Sequence, residues 1–305
     1  MITVIGGANI DIGGCSHAPL VMRDSNPGTV VRTLGGVGRN IAENLARMGQ
    51  SVKLITVLGE DHEADLIENS CRYLGMDISG IVRIPGMSTS FYVYIADSSG
   101  DMKLAVNDMS IYEEMTPEFL EPFVDIINAE SELVVLDANL PEESIEFLTE
   151  HCKMPVFADA VSAAKTMKLK SSLGRLHTIK PNRLEAEMLS GVRITDEGSL
   201  NKAADRLLAT GLSRVFITLG NDGVLAAERD GGRVRLANPL ETAKNTSGCG
   251  DAFTAAVAMA TVKGIDLEGT ARYGLAAAAI TLQSAETINR AMSAEALEKK
   301  WRELA

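Results

Sequence analysis

Residues 3–11 read Thr-Val-Ile-Gly-Gly-Ala-Asn-Ile-Asp, and this stretch sets the expectation for the whole chain. Its apolar start predicts a short buried strand, which ends at the two glycines. Asn9 and Asp11 follow directly, so they fall just beyond the carboxyl end of that strand. In open α/β sheets this edge is where ligands bind. The opening residues therefore predict a strand of an α/β sheet with a ligand site beside it.

Further apolar strand candidates recur along the chain, mostly with helices between them. They lie at residues 52–58, 133–136, 155–158, 176–179, 215–219 and 224–227. The C-terminal third, from residue 250, has a helical pattern. Strands that alternate with helices are typical of a mainly parallel sheet covered by helices on both faces. The predicted fold class is therefore α/β with a doubly wound sheet.

One part of the chain departs from this rhythm. Residues 90–96 and 102–107 alternate in polarity around a turn, which predicts a hairpin. Together with the glycine-dotted residues 12–34, the hairpin predicts a small β-sheet inserted at the ligand end. The predicted division is an α/β core, residues 1–11, 35–80 and 109–305, and a small β lid, residues 12–34 and 81–108.

The charge balance excludes several classes of function. The 29 Lys and Arg residues against 41 Asp and Glu residues give a net charge of −12. This balance argues against a nucleic-acid binder and against attachment to an anionic membrane. No apolar run reaches the ~20 residues of a membrane span, and the N-terminus lacks a basic leader. The four cysteines show no CxxC spacing. We expect a cytoplasmic protein with reduced thiols and a small-molecule substrate.

The strongest functional signal is Asn245-Thr-Ser-Gly-Cys-Gly-Asp251, which precedes an apolar helix. The backbone N–H groups of Gly248, Cys249 and Gly250 would point outward at the helix start, where free amides and the positive end of the helix dipole bind anions. Asp251 lies at the same start. A carboxylate beside a bound phosphate is explained if it accepts a proton from an attacking hydroxyl. The alternative is a capping aspartate with glycines for the turn, and shape alone favours neither interpretation.

A second segment, Lys180-Pro-Asn-Arg-Leu-Glu185, follows a strand and begins a helix. Asn182 and Glu185 are three residues apart, so both face the same side of the first helical turn. A carboxylate and an amide in this arrangement suit a hydrated Mg²⁺ carried by nucleotide phosphates. The alternative is a capping box, which is favoured when this segment is taken alone.

A third segment, Thr218-Leu-Gly-Asn-Asp-Gly223, lies between two β runs. It predicts a tight turn whose glycines, Gly220 and Gly223, would admit the close approach of a ligand. A plain hairpin turn is the simpler interpretation of this segment alone.

A group of short polar residues and glycines lies near the predicted strand ends of the N-terminal part. Such groups suit the vicinal hydroxyls of a sugar, because a carboxylate accepts two hydroxyl protons and an amide both donates and accepts. For any one of them, ordinary turn chemistry is the simpler explanation. The members are Asn9, Asp11, Gly35, Gly36 and Asn40.

Taken together, these segments resemble the ribokinase-like carbohydrate kinases, the PfkB family, from residue 1 to about residue 304. Four motifs of that family occur in order: an N-terminal glycine pair, NxxE, TxGxxG and the signature DTxGxGD. They match Gly35-Gly36 with Asn40, Asn182 with Glu185, Thr218 with Gly220 and Gly223, and residues 246–251.

The resemblance implies a kinase that transfers a phosphoryl group from ATP, with the ATP and catalytic site in the core and the lid over the acceptor site. It implies that Asp251 is the base and that residues 248–250 form the anion hole. It also implies that Glu185 and Asn182 help to hold Mg²⁺ through water. The implied ATP site comprises Asn182, Thr218, Gly220, Gly223, Gly248 and Gly250.

Within the family, residues 35–47, 136–141 and 159–165 are similar to the pseudouridine kinase subgroup. This similarity implies phosphorylation of the 5′-hydroxyl of a ribosyl nucleoside, with Asn107, Asn139 and Lys165 as further acceptor-side residues. Ribose, fructose or an adenosine-type nucleoside remain alternative acceptors. A non-catalytic nucleoside-binding regulator on the same scaffold is the alternative from another class.

Two positions depart from the family signature. Asn245 stands where the signature usually has an aspartate, which in the family helps to bind a monovalent cation, so activation by K⁺ is left open. Cys249 stands where a smaller residue is usual, and only its backbone amide would matter to the reaction.

The predicted lid also has an apolar strand at residues 91–96. An isolated small sheet leaves one apolar face open to water. We therefore expect a homodimer formed through the lid, with a monomer whose lid folds onto the core as the alternative.

Overall fold

The computed structural model describes residues 1–238 and 246–304. The strands are β1 Ile2–Ile5, β2 Asn9–Ser16, β3 Gly28–Gly35, β4 Val52–Gly59, β5 Asp77–Ile84, β6 Phe91–Ala96, β7 Met102–Asp108, β8 Leu133–Asp137, β9 Val156–Asp159, β10 Thr178–Lys180, β11 Arg214–Thr218, β12 Val224–Glu228 and β13 Arg233–Leu236. The α-helices are α1 Val37–Arg47, α2 His62–Tyr73, α3 Pro117–Glu130, α4 Glu142–His151, α5 Ala163–Thr166, α6 Arg183–Ser190, α7 Glu197–Leu208, α8 Cys249–Val262, α9 Leu267–Leu282 and α10 Ala294–Glu303.

A nine-stranded sheet forms the centre of the molecule, in the order β13-β12-β11-β10-β9-β8-β1-β4-β5. The pairs from β5 to β11 are parallel, and β12 and β13 add an antiparallel edge. Successive strands run outward from β1 in one direction to β5 and from β8 in the other to β13. The order therefore reverses between β1 and β8, and the crevice beyond the carboxyl ends of such neighbours is where open α/β sheets bind ligands.

The central strands are buried because helices cover both faces of the sheet. Every residue of β1, β4 and β8 is buried, and apolar clusters lie on the two sides of the sheet. Helix α8 is rich in alanine and packs against both α1 and α9. Small side chains let these three helices approach closely, which brings the start of α8 to the crevice beside α1.

A separate four-stranded sheet has the order β3-β2-β6-β7. Residues that pair directly across neighbouring strands project from the same face of a sheet. One face therefore carries the row Thr33, Asp11, Tyr92 and Asn107. The opposite face carries exposed apolar side chains, namely Val30, Val93, Ile95, Leu104 and Val106.

The predicted division into core and lid needs two corrections. Residues 81–84 belong to β5, which pairs in parallel with β4, so they extend the large sheet and do not lie in the lid. The small sheet already begins at Asn9, because β2 pairs with β3 from that residue onward. Asn9 and Asp11 thus lie in the small sheet, although the sequence placed them in the core.

The start of α1 lies close against the loop that follows β1, and glycine makes this approach possible. Gly36 is the N-cap of α1 and has φ +93°. A Cβ atom at Gly36 would lie 2.4 Å from the carbonyl oxygen of Gly7. Glycine is the one residue that accepts both this backbone conformation and this contact without strain.

Gly36→Ala is expected to lower the free energy of unfolding by about 2–4 kcal/mol, because it adds a backbone clash to an unfavourable φ. Gly49→Ala is the matched control: Gly49 has φ +77°, but a Cβ atom there would meet open space. The control should lose only about 1 kcal/mol from backbone strain. Urea denaturation measures both values, and equal losses in the two variants would contradict this account of the α1 start.

Candidate active site

A buried carboxylate at the end of β8 joins the segments around the crevice. Asp137 Oδ2 accepts hydrogen bonds from the backbone N–H groups of Gly7 (2.9 Å) and Gly38 (2.8 Å), and Oδ1 accepts one from that of Asn139 (2.9 Å). Burial raises the pKa of the Asp137 carboxyl, while these hydrogen bonds act in the opposite direction. Asp137 therefore fixes the loop after β1, the start of α1 and the loop after β8 relative to one another.

Asp251 lies in the first turn of α8 and faces this assembly. Asn40 Nδ2, from α1, donates a hydrogen bond of 2.8 Å to Asp251 Oδ2. Burial and the charge of Asp159 raise the pKa of Asp251 to about 7, against the opposing effects of the Asn40 hydrogen bond and the Lys180 charge. The structure thus brings together two predicted site residues that are 211 positions apart. It gives one of them a pKa suited to proton transfer near neutral pH.

Lys180 supplies a cation beside this carboxylate. Its Nζ lies 3.3 Å from Asp159 Oδ2, which also accepts a 2.8 Å hydrogen bond from Thr254 Oγ1 of α8. A Cβ atom at Gly250 would lie 2.9 Å from Lys180 Nζ, so glycine at this position leaves room for the ammonium against the helix start. Burial acts to lower the pKa of Lys180, but Asp159 and the other nearby carboxylates raise it above its ordinary value. The ammonium is therefore held charged at the start of α8.

The start of α8 offers backbone donors. Within residues 1–238 and 246–304, no oxygen accepts a hydrogen bond from the backbone N–H of Gly248, Gly250 or Asp251. The backbone N–H of Cys249 donates a long hydrogen bond of 3.4 Å to the Thr246 carbonyl oxygen. Gly248 and Gly250, with Lys180 beside them, are therefore the positions whose backbone N–H groups could bind an anion, while the Cys249 amide is turned toward the preceding loop.

Asn182 and Glu185 form the capping box that the sequence left as the alternative. The backbone N–H of Asn182 donates to Glu185 Oε2 (2.8 Å), and that of Glu185 donates to Asn182 Oδ1 (3.0 Å). The Glu185 carboxylate is buried, and burial raises its pKa. Its charge raises the pKa of Lys180, so the capping box holds a carboxylate close to that ammonium.

The segment from Thr218 to Gly223 forms the plain turn between β11 and β12. Thr218 pairs with Asn182 in an isolated parallel bridge, so the two motifs meet at the same edge of the sheet. Gly220 and Gly223 both have positive φ. A Cβ atom at Gly223 would lie 2.0 Å from the carbonyl oxygen of Leu236, so this glycine is required by the close approach of β13.

The predicted sugar-binding residues at the start of the small sheet also meet. Asn9 Nδ2 donates a 2.5 Å hydrogen bond to Asp11 Oδ1, and a Cβ atom at Gly35 would lie 2.4 Å from Asp11 Oδ2. Burial raises the pKa of Asp11 to about 6, with the Asn9 hydrogen bond and the Arg39 charge opposing it. Asp11 is therefore a positioned carboxylate held against a glycine, which leaves no space for another side chain at residue 35.

The three residues implied only by the family resemblance lie in two places. Lys165 Nζ donates a 2.5 Å hydrogen bond to Asn139 Oδ1, at the end of β8. Asn107 is exposed on β7 of the small sheet, next to Tyr92 in the row that contains Asp11. Met109, two residues after Asn107, has its Sδ atom 3.0 Å from Lys165 Nζ, so the chain after β7 leads from Asn107 toward this pair.

Sequence reasoning missed four residues of this site. Lys180 carried a signal, because it stands at the end of a predicted strand directly before Pro181. Asp137 is the last residue of β8 and Asp159 is the last residue of β9, so both lie at the ligand edge of the sheet. Tyr92 was assigned only to an apolar lid strand, and its place beside Asp11 becomes visible only with the strand register.

Asn245, the predicted contributor to a monovalent-cation site, lies outside the described residues. The structure of residues 1–238 and 246–304 contains no group of three or more His, Cys, Asp or Glu side chains that could hold a metal ion. A cation here would therefore depend on water and on ligand phosphates, which is the usual mode for Mg²⁺. No helix in the described part of the chain is long and apolar enough to cross a membrane.

Comparisons with known proteins identify the family of the chain. The pfkB family carbohydrate kinase model matches residues 1–294. Pseudouridine kinase of Escherichia coli (strain K12) is 35% identical over 294 residues, which cover 96% of this chain and 93% of that protein. Ribokinase of Haemophilus influenzae is 28% identical over 290 residues, which cover 92% of each. The chain therefore belongs to the PfkB family of carbohydrate kinases.

Solved structures give the same result for the fold. A carbohydrate kinase from Agrobacterium tumefaciens superimposes with a TM-score of 0.85 at 31% identity, covering 99% of this chain and 96% of that one. A ribokinase of Arabidopsis thaliana, solved with ribose and ATP, superimposes with a TM-score of 0.87 at 21% identity, covering 99% and 98%. The predicted ribokinase-like α/β fold is confirmed. So is the predicted enzyme class, a phosphotransferase that acts on an alcohol group.

The raised pKa of Asp251 predicts an effect on stability. A carboxyl whose pKa is higher in the folded than in the unfolded chain contributes stability at low pH and loses it as the pH rises through the folded value, here about 7. Asp251→Asn should therefore raise the melting temperature more at about pH 8 than at about pH 5.

Thermal unfolding of the unliganded protein followed by circular dichroism measures this difference. Asp125→Asn, at an exposed position of α3, is the control for the loss of one negative charge and should show no such pH dependence. A decrease in melting temperature at the higher pH, or the same change at both, would contradict the assigned electrostatics.

Proposed function

We propose that this chain transfers the γ-phosphoryl group of ATP to the 5′-hydroxyl of a ribosyl nucleoside, with Asp251 as the base. One observation carries the proposal. The Asp251 carboxylate lies at a helix start beside backbone N–H groups that no described residue occupies, and its pKa is raised to about 7. A carboxylate at an anion site suits a reaction in which a hydroxyl is deprotonated next to a phosphate.

In this reaction the 5′-oxygen attacks the γ-phosphorus while the bond from that phosphorus to the β,γ-bridging oxygen breaks and ADP leaves. Asp251 accepts the hydroxyl proton. Negative charge spreads over the phosphoryl oxygens in the transition state, so the protein's contribution is positioning and fixed charge. The fixed positive charge comes from the N–H groups of Gly248 and Gly250, the ammonium of Lys180 and the positive end of the α8 dipole.

The hydrogen bond from Asn40 gives Asp251 a defined orientation. It occupies Oδ2 and leaves Oδ1 for the acceptor hydroxyl. Because Asn40 belongs to α1, whose start is held by Asp137, the base is positioned by the same assembly that forms the crevice. Small displacements of such a group have large effects on rate, which explains why it rests on buried elements.

The nucleotide would lie along the edge where Asn182 and Thr218 meet, beside Gly220, at which a Cβ atom would meet open space. Gly223 lies against Leu236 and shapes the turn that borders this edge. The hydrogen bond from the Asn182 backbone to Oε2 holds the Glu185 carboxylate in a fixed position, buried beside Lys180. A fixed carboxylate of this kind is suited to hold Mg²⁺ through water. Mg²⁺ bound with the phosphates would neutralise part of their charge. Activation by K⁺ through Asn245 stays a prediction.

The acceptor side supports a nucleoside rather than a bare sugar. Asp11 and Asn40 suit the ribose hydroxyls, and the ring of Tyr92 lies beside Asp11 on the same face of the small sheet. An aromatic ring next to a sugar site offers a stacking surface for a base. Asn107 and the Asn139–Lys165 pair add amide and ammonium groups that match the carbonyl and N–H groups of a uracil-type base. Pseudouridine is the proposed acceptor, supported by the 35% identity to pseudouridine kinase.

The small sheet would act as the lid of this site. Its row from Thr33 to Asn107 would cover the nucleoside, and closing it would exclude water, which would otherwise accept the phosphoryl group.

Asp251→Asn should reduce kcat by about 10²-fold or more while the KM values change little, because the group acts on the reacting proton.

In the wild-type enzyme kcat should fall as the pH drops below about 7, where Asp251 becomes protonated. Lys180→Met should move this acid limb to higher pH, since removing the neighbouring cation disfavours the carboxylate.

ATP-coupled rate measurements between about pH 5 and about pH 9 test this pair of variants. Lys180→Arg keeps the charge and serves as the control for Lys180→Met. Near-normal turnover in Asp251→Asn would reject the assignment of the base.

The acceptor is tested by the specificity constants for pseudouridine, uridine, adenosine, ribose and fructose. We expect the highest kcat/KM with pseudouridine. Asn107→Ala should lower kcat/KM by about 10-fold for pseudouridine, because one polar contact to the base is lost, and leave that for ribose unchanged. A preference for ribose or fructose, or equal losses for ribose and pseudouridine, would contradict a base-recognising lid.

We further propose a homodimer formed through the exposed apolar face of the small sheet, since five aliphatic side chains project from it in two adjacent rows. The double variant Val93→Lys/Leu104→Lys should sediment as a monomer at concentrations where the wild type is a dimer. Ile126→Lys, at an exposed apolar position on α3, is the control and should leave the dimer intact. A wild type that sediments as a monomer would contradict the proposal.

A further inference from the structure

A groove lies outside the site described above, between α1, α2, the edge strand β3 and residues 286–290. It has a volume of about 710 Å³, which is within the range of small-molecule sites. Apart from Thr33, at the end of the row on the small sheet, none of the residues assigned to the nucleotide, the acceptor or the base lines it. The groove therefore requires a separate explanation.

Arginines dominate the charge of this groove. Arg32, Arg39, Arg47 and Arg290 line it, whereas its acidic lining residues in the described part of the chain are Glu43 and Glu286. The balance is positive although the chain as a whole carries a charge of −12. Such a local reversal of sign favours an anionic ligand.

Two of these arginines have carboxylate partners of their own: Arg290 pairs with Glu286 (3.1 Å) and Arg32 with Glu63 of α2 (3.4 Å). The unneutralised positive charge belongs to Arg39 and Arg47. Glu43 is shared by two guanidinium groups: its Oε2 lies 2.5 Å from Arg39 Nη2, and its Oε1 lies 2.7 Å from Arg47 Nη2. One carboxylate cannot neutralise two cations. The excess charge belongs to the α1 wall of the groove, where Arg39, Glu43 and Arg47 are spaced four residues apart and so share one helix face.

Arg39 is an uncommon residue for a groove wall because it is only 2% exposed. Its Nη2 also donates to Ser70 Oγ of α2 (3.1 Å), and its Nε is buried without a hydrogen-bond acceptor in the described structure. Arg39 therefore adds buried positive charge behind the α1 wall, whereas the more exposed Arg47 and Arg290 offer the surface that an anion can contact.

The opposite wall of the groove offers an aromatic surface. Tyr73 at the end of α2 is 91% exposed, although large aromatic side chains are usually covered. Val31 and Ile288 add aliphatic surface to the same lining. A flat ring can pack against Tyr73 while an anionic group contacts the arginines.

We propose that this groove binds a nucleoside monophosphate, with the phosphate on Arg47 and Arg290 and the base on Tyr73. The site is distinct from the one that carries Asp251, and the proposal does not depend on which alcohol the enzyme phosphorylates. Arg39 and Asn40 are consecutive residues of α1, so a ligand in the groove would contact the same helix that orients Asp251.

Isothermal titration calorimetry with uridine 5′-monophosphate tests the proposal on the full chain. Saturating pseudouridine and a non-hydrolysable ATP analogue are added together, so that the acceptor site and the ATP site are both occupied. We expect one molecule bound per chain. Arg47→Gln/Arg290→Gln should weaken binding by about 10-fold or more, because two charge-assisted contacts are lost. Tyr73→Ala should weaken it by about 3- to 10-fold through loss of stacking.

The matched control is Arg193→Gln/Arg302→Gln, which removes two exposed arginines elsewhere and should leave the affinity unchanged. Inorganic phosphate is the second probe: its weaker binding should respond to the arginine variants and not to Tyr73→Ala. Melting temperatures equal to that of the wild type show that the variants are folded. No binding in the presence of pseudouridine and the analogue, or an affinity that none of the groove variants changes, would overturn the proposal.

Discussion

The arrangement of the active crevice depends on one buried carboxylate that satisfies three backbone donors. Asp137 accepts hydrogen bonds from the backbone of Gly7, Gly38 and Asn139, and so ties together the ends of β1 and β8 and the start of α1. A buried charge is tolerable only when it is hydrogen-bonded in this way. Without this carboxylate the loops after β1 and β8 could separate, because the strands fix only the first residue of each loop. The position of Asn40, and through it the orientation of Asp251, follows from this contact.

The second organising feature is a shortage of positive charge. Asp137, Asp159 and Asp251 lie near one another, with Lys180 as the cation among them that contacts Asp159 directly. Like charges in a poorly solvated place cannot all ionise easily, so the pKa of Asp251 rises toward neutrality. The nearby carboxylates raise the pKa of Asp251 into a range that suits a base. They also make the ionised form of Asp251 unfavourable for the stability of the fold. A bound phosphoryl group would approach Lys180 and the α8 amides, which lie where that negative charge can be balanced.

The sequence predicted local features well and long-range ones poorly. The strand at residues 52–58 was predicted almost with the bounds that the structure shows, Val52–Gly59, because its continuous apolar run is a local signal. The Asn182–Glu185 box is also local. The edge of the lid was misplaced because β5 looks like any other short β run, and only its pairing with β4 assigns it to the large sheet. The contacts of Asp137 and Asp159 span 99 and 95 residues, to Gly38 and Thr254, so no short pattern reveals them.

The central claim is that Asp251 faces the acceptor hydroxyl at a phosphate site formed by the start of α8. A crystal structure of the protein with pseudouridine and a non-hydrolysable ATP analogue tests it most directly. The account predicts that the nucleoside 5′-oxygen lies within hydrogen-bonding distance of Asp251 Oδ1, and that oxygens of the γ-phosphate accept from the backbone N–H groups of Gly248 and Gly250. A complex in which the 5′-oxygen lies away from Asp251, or in which protein oxygens occupy those N–H groups, would contradict it.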